Sequence, residues 1–230
     1  MAKHIGIVAC SAEGAALCYR TICSEGAEIM GQHAHPEVSM HTHPLSMYMD
    51  YIYKADWNGV ASLMLSSAEK LAKTGADILI CPDNTIHQAF DLVQKKSPLP
   101  WLHIAEEVVK TALLSGYKKL GIMGTKYLMS GPVYPHVLRK AELEYSIPDE
   151  VTRKQIDHVI FNELVYGEIR PVSKTYFLDV VNRLKKDQCD AVILGCTEIP
   201  LIVLPEESPL PVLDSTRILA RAALREAVIR

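Results

Sequence analysis

Two short stretches gather residue types able to move a proton. In CPDNTIHQAF (81–90), Cys81 and Asp83 are both potential bases, followed at once by Asn84 and Thr85. In LGCTEIPL (194–201), Cys196 precedes Thr197 and Glu198. A thiolate or a carboxylate can take a proton from carbon. Thr is a good helix N-cap, and free backbone N–H groups at a helix start attract a substrate carboxylate. A thiol at a strand end before a helix N-terminus has its pKa lowered, which makes Cys196 the strongest single base or nucleophile candidate. A lone cysteine is otherwise most often an inert core residue. In a third stretch, MGTKY (123–127), Gly124 lets the backbone approach closely while Thr125 and Lys126 supply donors. It lacks the G-x-x-x-x-G-K-[ST] spacing of a nucleotide P-loop.

Parallel strands are expected to position these loops. Four apolar runs, HIGIVA (4–9), ADILIC (76–81), KLGIMG (119–124) and DAVILGC (190–196), show no clean alternation. That pattern suits strands buried on both faces of a sheet. Helical spacing is found at 59–74, at 104–115 running into Gly116, and at 174–187; a last helix over 215–228 follows the short strand PVLDS. Strands alternating with helices imply α/β units with right-handed crossovers, and ligands of such folds bind at the carboxyl ends of the strands. Gly6 lies 77 residues before Asp83 and Gly121 lies 75 before Cys196. This weak internal repeat predicts two similar α/β halves. The expected domains are 1–103 plus 212–230, and 104–211.

Bulk composition excludes several classes of function. With 230 residues, 49% hydrophobic and 22% charged, the chain can bury a substantial core. A net charge of −3 without a basic stripe argues against nucleic acid. The start MAKHIGIVAC lacks a signal-peptide pattern, and no apolar run reaches the ~18 residues of a membrane span, so a cytoplasmic protein is expected. Six cysteines without a C-x-x-C pair predict neither a disulfide framework nor a zinc knuckle. HAHPEVSMHTH (33–43) could present His41 and His43 on one strand face, as metal ligands would require; a place at the mouth of a site is the stronger expectation for His41 or His43.

Taken together, Pro82 to His87 (P-x-N-T-x-H), Gly195 to Glu198 (GCTE) and Met123-Gly124-Thr125 resemble the aspartate/glutamate racemase family. The resemblance spans nearly the whole chain. It implies an α/β fold of two pseudo-symmetric domains, each a parallel sheet flanked by helices, with the active site in the cleft between them. It also implies a homodimer and proton exchange at an amino-acid Cα without a cofactor or metal. Family members use two cysteines, one from each half, on opposite faces of the substrate. The resemblance gives His87 a role in orienting a catalytic residue.

Departures from the family pattern shape the expectation. The family's first cysteine directly precedes Asn-Thr, and that position here is Asp83. Cys81 is displaced by two residues, about 6.5 Å along a strand, and is expected to pack in the strand. The expected catalytic pair is therefore Asp83 and Cys196. The substrate carboxylate is expected against Asn84, Thr85, Thr125 and Thr197, with Lys126 and His43 nearby; Glu198 would orient Cys196 or contact the substrate amine. After the opening strand the family reads GGM, where this chain has Ala9-Cys10-Ser11, and Ser11 is expected to bind the substrate. Aligned with the family, Met49 and Val165 occupy positions that hold basic residues in acid-specific members. The substrate is thus an amino acid or related carboxylate, not necessarily aspartate, with Met47, Tyr48 and Met49 shaping an apolar pocket. Two alternatives stay open: a same-fold decarboxylase or cis-trans isomerase using Cys196 alone, and a non-catalytic ligand-binding homologue.

Overall fold

The computed structural model describes residues 2–229. The chain forms two units, Met1–Glu107 with Thr216–Arg230, and Val108–Ser215. It passes between them a few residues beyond each of the expected boundaries, 103/104 and 211/212.

In chain order, the first unit contains β1 (Ile5–Ala9), α1 (Ala12–Met30), β2 (Val38–Thr42), α2 (Leu45–Ile52), α3 (Trp57–Lys73), β3 (Ile78–Ile80), a 3-10 turn (Thr85–Ala89), α4 (Phe90–Gln94) and β4 (Trp101–Leu102). After α5 (Ile104–Leu114) come β5 (Lys119–Met123), α6 (Lys126–Ser130), α7 (Val133–Lys140), β6 (Glu144–Ser146), α8 (Glu150–Asn162), α9 (Pro171–Lys186), β7 (Ala191–Leu194) and β8 (Val212–Asp214). The final helix is α10 (Ser215–Val228). Each sheet has four parallel strands, in the order β2-β1-β3-β4 and β6-β5-β7-β8. The two orders are the same pattern, offset by four strands.

The central strands follow from their apolar runs. Every residue of β1, β3 and β7 is buried, as strands covered on both faces require. The edge strand β2 is only half covered and carries Ser39, His41 and Thr42. Helices bury one stripe each. In α1 the stripe is Ala15, Cys18, Ile22 and Gly26, at steps of three and four residues; in α3 it is Val60, Met64, Ala68 and Leu71. Side-chain caps fix helix starts: Ser11 for α1, Asp56 for α3, Thr125 for α6 and Asp149 for α8. Helix α5 stops before Gly116, whose φ of 75° lies in the left-handed region.

The core of the first unit joins Ile5, Ile7 and Ala9 on one face of β1 to Ile78 and Ile80 of β3 and to Ala15, Cys18 and Ile22 of α1. Leu219, Ala220, Ala223 and Ala227 of α10 complete it. Each fully buried Ile or Leu contributes roughly 1.5–3 kcal/mol. This packing holds the carboxyl ends of β1 and β3 in place, and the loops of interest leave from those ends.

Candidate active site

In the first unit the chain leaves β3 through Cys81, Pro82 and Asp83. Cys81 is fully buried, and its Sγ lies 3.9 Å from the Asp83 carbonyl oxygen, to which the thiol donates. Burial, reinforced by the Asp83 carboxylate, pushes that thiol well above its ordinary value. Cys81 therefore stays protonated and packed beneath the loop. Asp83 itself is half-buried.

His87 fixes the loop from behind. Its Nδ1 lies 2.7 Å from the Asp83 carbonyl oxygen, which can only accept, so Nδ1 carries the hydrogen. Nε2 then accepts from the Ile104 backbone N–H at 3.4 Å. The ring stacks on Phe90 at 5.5 Å and meets His103 edge-on at 4.7 Å. Burial, then His103, hold His87 well below the ordinary imidazole range. A neutral His87 is thus a brace for the Asp83 backbone. Its titration has a stability consequence. Above about pH 6.5 neither folded nor unfolded chain protonates it; below, only the unfolded chain does. Stability is expected to fall as pH drops below about 6.5, by up to about 1.4 kcal/mol per pH unit from this residue. In His87→Gln the amide can still donate to Asp83 and accept from Ile104. Denaturation midpoints of this variant should decline less steeply between about pH 6.5 and 5 than those of the native chain.

Asn84 and Thr85 are buried next to Asp83. They were expected to open a helix with a threonine cap. The chain instead enters the 3-10 turn, preceded by Asn84, whose side chain makes no capping bond. The second unit behaves alike. A 3-10 turn (Ile199–Leu201) follows Thr197 and Glu198, again without a side-chain cap. Here the Ile199 N–H closes a tight bond to the Cys196 carbonyl at 3.2 Å, and Pro200 has no N–H to extend an α-helix. Helix dipoles therefore contribute less at these two loops than expected. Of the expected site residues, Ser11 does cap a helix, accepting from the Gly14 N–H at 3.4 Å, and so does Thr125, accepting from the Leu128 N–H at 3.2 Å. Both follow the first strand of their own unit.

In the second unit β5 and β7 end level, with Met123 opposite Leu194 and Leu194 opposite Asp214. Gly195 donates its N–H to the Met123 carbonyl at 2.7 Å. A Cβ at Gly195 would stand 2.3 Å from Leu128 Cδ2 and 3.1 Å from the Met123 oxygen, so any larger residue would have to displace the Leu128 side chain and crowd the Met123 carbonyl. Cys196 follows, half-buried, and its thiol donates to Glu198 Oε2 at 2.8 Å. Glu198 is buried, as are Thr125 and Thr197. A carboxylate in this position can hold the thiol in one orientation and accept its proton.

Two residues expected near the substrate, Lys126 and His43, also have partners within the protein. The Lys126 ammonium lies 3.4 Å from Asp157 Oδ2, and its backbone N–H donates to Asp157 Oδ1 at 2.9 Å. Asp157 lies on α8, a partner that local sequence around Lys126 does not signal. His43 turns to α3, with Nε2 3.2 Å from Ser66 Oγ. His41 does the same with Ser67, and the two rings meet edge-on at 4.8 Å. Among the described residues no three His, Cys, Asp or Glu side chains gather as metal ligands would. No helix among them is long and apolar enough to cross a membrane.

Known proteins share this arrangement of elements. Residues 7–223 fit the sequence model of the Asp/Glu/hydantoin racemases. The broad specificity amino-acid racemase RacX of Bacillus subtilis is 25% identical over 193 residues, covering 83% of this chain and 81% of RacX. A solved Yersinia pestis protein described as a candidate Asp/Glu racemase superposes with a TM-score of 0.91 at 28% identity, covering 99% of this chain and 100% of the other. An aspartate racemase homologue from Pyrococcus horikoshii superposes with a TM-score of 0.86 at 25% identity, over 99% and 100%.

Proposed function

Because the chain belongs to the Asp/Glu/hydantoin racemase family, we propose that it is an amino-acid racemase that needs no cofactor and uses Asp83 and Cys196 as its two bases. One observation carries this reading. Asp83-Asn84-Thr85 and Cys196-Thr197-Glu198 leave the equivalent strands, β3 and β7, of two sheets with the same strand order. Asp83 and Cys196 take and return the α-proton on opposite faces of the substrate carbon. The Asp83 carboxylate removes the proton of one enantiomer while the Cys196 thiol donates to the other face; the reverse reaction uses the thiolate and the protonated Asp83. Glu198 accepts from the Cys196 thiol and sets its direction. Asn84, Thr85, Thr125, Thr197 and Ser11 supply donors for the substrate carboxylate, stabilising the charge that develops as the proton leaves. Lys126, already paired with Asp157, adds positive charge without a free ammonium.

The substrate we propose is an amino acid whose side chain is not restricted to a second carboxylate. The alignment of Met49 and Val165 with the basic positions of acid-specific relatives supports this, as does the broad specificity in the name of the Bacillus relative. The protein is proposed to work in the cytoplasm as a homodimer.

Incubation with single-enantiomer amino acids in deuterated water tests the reading. Deuterium at Cα, followed by NMR, should accompany inversion, followed by chiral chromatography. Exchange with retention would indicate a one-base site, as in the single-cysteine alternatives. No exchange across a broad panel would sink the racemase reading.

A further inference from the structure

Asp157 is a charged side chain in an apolar setting that the mechanism above leaves unused. It lies on α8, in the buried stripe with Ile156, Val159 and Ile160. Asp is almost never buried in such a place without a partner. Here the partner is Lys126, and Asp157 meets two of its donors. Oδ1 accepts from the Lys126 backbone N–H at 2.9 Å, and Oδ2 lies 3.4 Å from the ammonium. A neutral acceptor would satisfy the backbone N–H. The carboxylate does something further, because it also claims the ammonium.

Lys126 directly follows Thr125 on the segment that leaves β5. Thr125 is one of the residues proposed to hold the substrate carboxylate, so the Lys126 charge acts close to whatever Thr125 binds. The Lys126 side chain is half-exposed, while that of Asp157 is buried. Asp157 is therefore the anchored member of the pair, and Lys126 the member with room to turn. Lys126 Nζ also lies 5.0 Å from the centre of the Tyr127 ring. That contact attracts the ammonium without cancelling its charge; the Asp157 carboxylate does cancel it.

We propose that Asp157 is a specificity-determining residue: by holding the Lys126 ammonium it denies an ion pair to a second carboxylate on the substrate, and so favours neutral over acidic side chains. The proposal rests on the racemase reading, with Thr125 as a substrate contact. Two effects act in the same direction. A carboxylate on the substrate side chain finds this ammonium already paired, and it also meets the like charge of Asp157, which repels it. Neither effect acts on an amide of the same shape. Glutamate against glutamine, and aspartate against asparagine, are therefore the comparisons that isolate the charge.

Asp157→Asn tests this. The amide oxygen can still accept from the Lys126 N–H, so the fold should survive, which thermal melting checks, while the ammonium is released. The ratio of kcat/KM for the acid to that for its amide should rise about three- to tenfold, because an ion-pair partner is gained and a like charge is lost. Adding Lys126→Met to that variant should take the gain away. Lys126→Met alone leaves the Asp157 charge unbalanced and should lower both ratios below their native values. A purely bracing Asp157 would depress acid and amide alike. Ratios that stay native in Asp157→Asn, or a gain that survives the loss of Lys126, would overturn the proposal. Were Asp157→Asn not to fold, Lys126→Met decides alone, and unchanged or raised ratios would overturn it. If the native chain exchanges the α-proton of no amino acid, the racemase reading falls and this proposal with it. If it does exchange and the ratios do not move, only the role of Asp157 falls.

Discussion

Cys196→Ala is expected to lower the kcat of racemisation by about 10²–10⁴-fold, the usual contribution of a positioned acid or base. The more telling result concerns which enantiomer still exchanges. With Cys196 gone, Asp83 can still remove and return a proton on its own face. One enantiomer should therefore continue to acquire deuterium with retention, and its mirror image should acquire none. A purely structural role for Cys196 would depress both enantiomers equally. The 2.8 Å bond from the thiol to buried Glu198 adds a condition. Once the thiol is gone the Glu198 carboxylate loses an accepted hydrogen bond, so folding should be checked by thermal melting before kinetics are compared. Equal exchange of both enantiomers, or activity left intact, would remove Cys196 from the site.

Asp83→Ala is expected to give the complementary loss, of similar size, with the opposite enantiomer retaining exchange. Asp83→Cys is the sharper variant. It restores a base of different ordinary pKa, about 8.5 against about 3.9 for Asp. The base must be ionised to act, so activity now requires a thiolate. The acidic limb of the pH profile of kcat/KM should move to higher pH, and turnover should recover part of what Asp83→Ala loses. Cys81, two residues away, cannot provide this rescue in Asp83→Ala. Burial, the main cause of its raised pKa, remains in that variant and keeps the thiol protonated, and its Sγ is directed to the backbone carbonyl of residue 83. A pH profile of Asp83→Cys identical to that of the native chain would rule Asp83 out as a base.

Much of the fold could be read from hydrophobic runs, since a strand buried on both faces leaves a continuous apolar signature. The strands β1, β3, β5 and β7 all lie within the four runs found in the sequence. Of the edge strands only β8 was anticipated, in PVLDS; the other three leave no such mark. Val38–Thr42 is half exposed and rich in Ser, His and Thr, while β4 and β6 are two and three residues long. Site residues divided along the same line. The two proposed bases, Asp83 and Cys196, stand out in the sequence through the adjacent Asn-Thr and Thr-Glu. The turns that follow them read as capped helices in the sequence, because threonine near a helix start has the same composition whether or not it caps. Partners distant in sequence were out of reach. Asp157 lies 31 residues from Lys126, and no local spacing joins the two. Tyr48 was expected to wall a pocket with Met47 and Met49, yet in α2 Tyr48 is buried while Met47 is 40% exposed, a facing that eight residues of helix do not declare.

The second unit is continuous in sequence, and the first is interrupted by it. That ordering acts on the ribosome. Ile5, Ile7, Ile78 and Ile80 are synthesised long before Leu219, Ala223 and Ala227, the α10 residues that close over them. At 5–20 residues per second the intervening segment takes about 7–28 s to emerge. Through that interval the nascent first unit carries an open apolar face, while the second unit can fold undisturbed. The Asp83 loop, anchored to the unit that closes last, would be the later of the two loops to reach its final form.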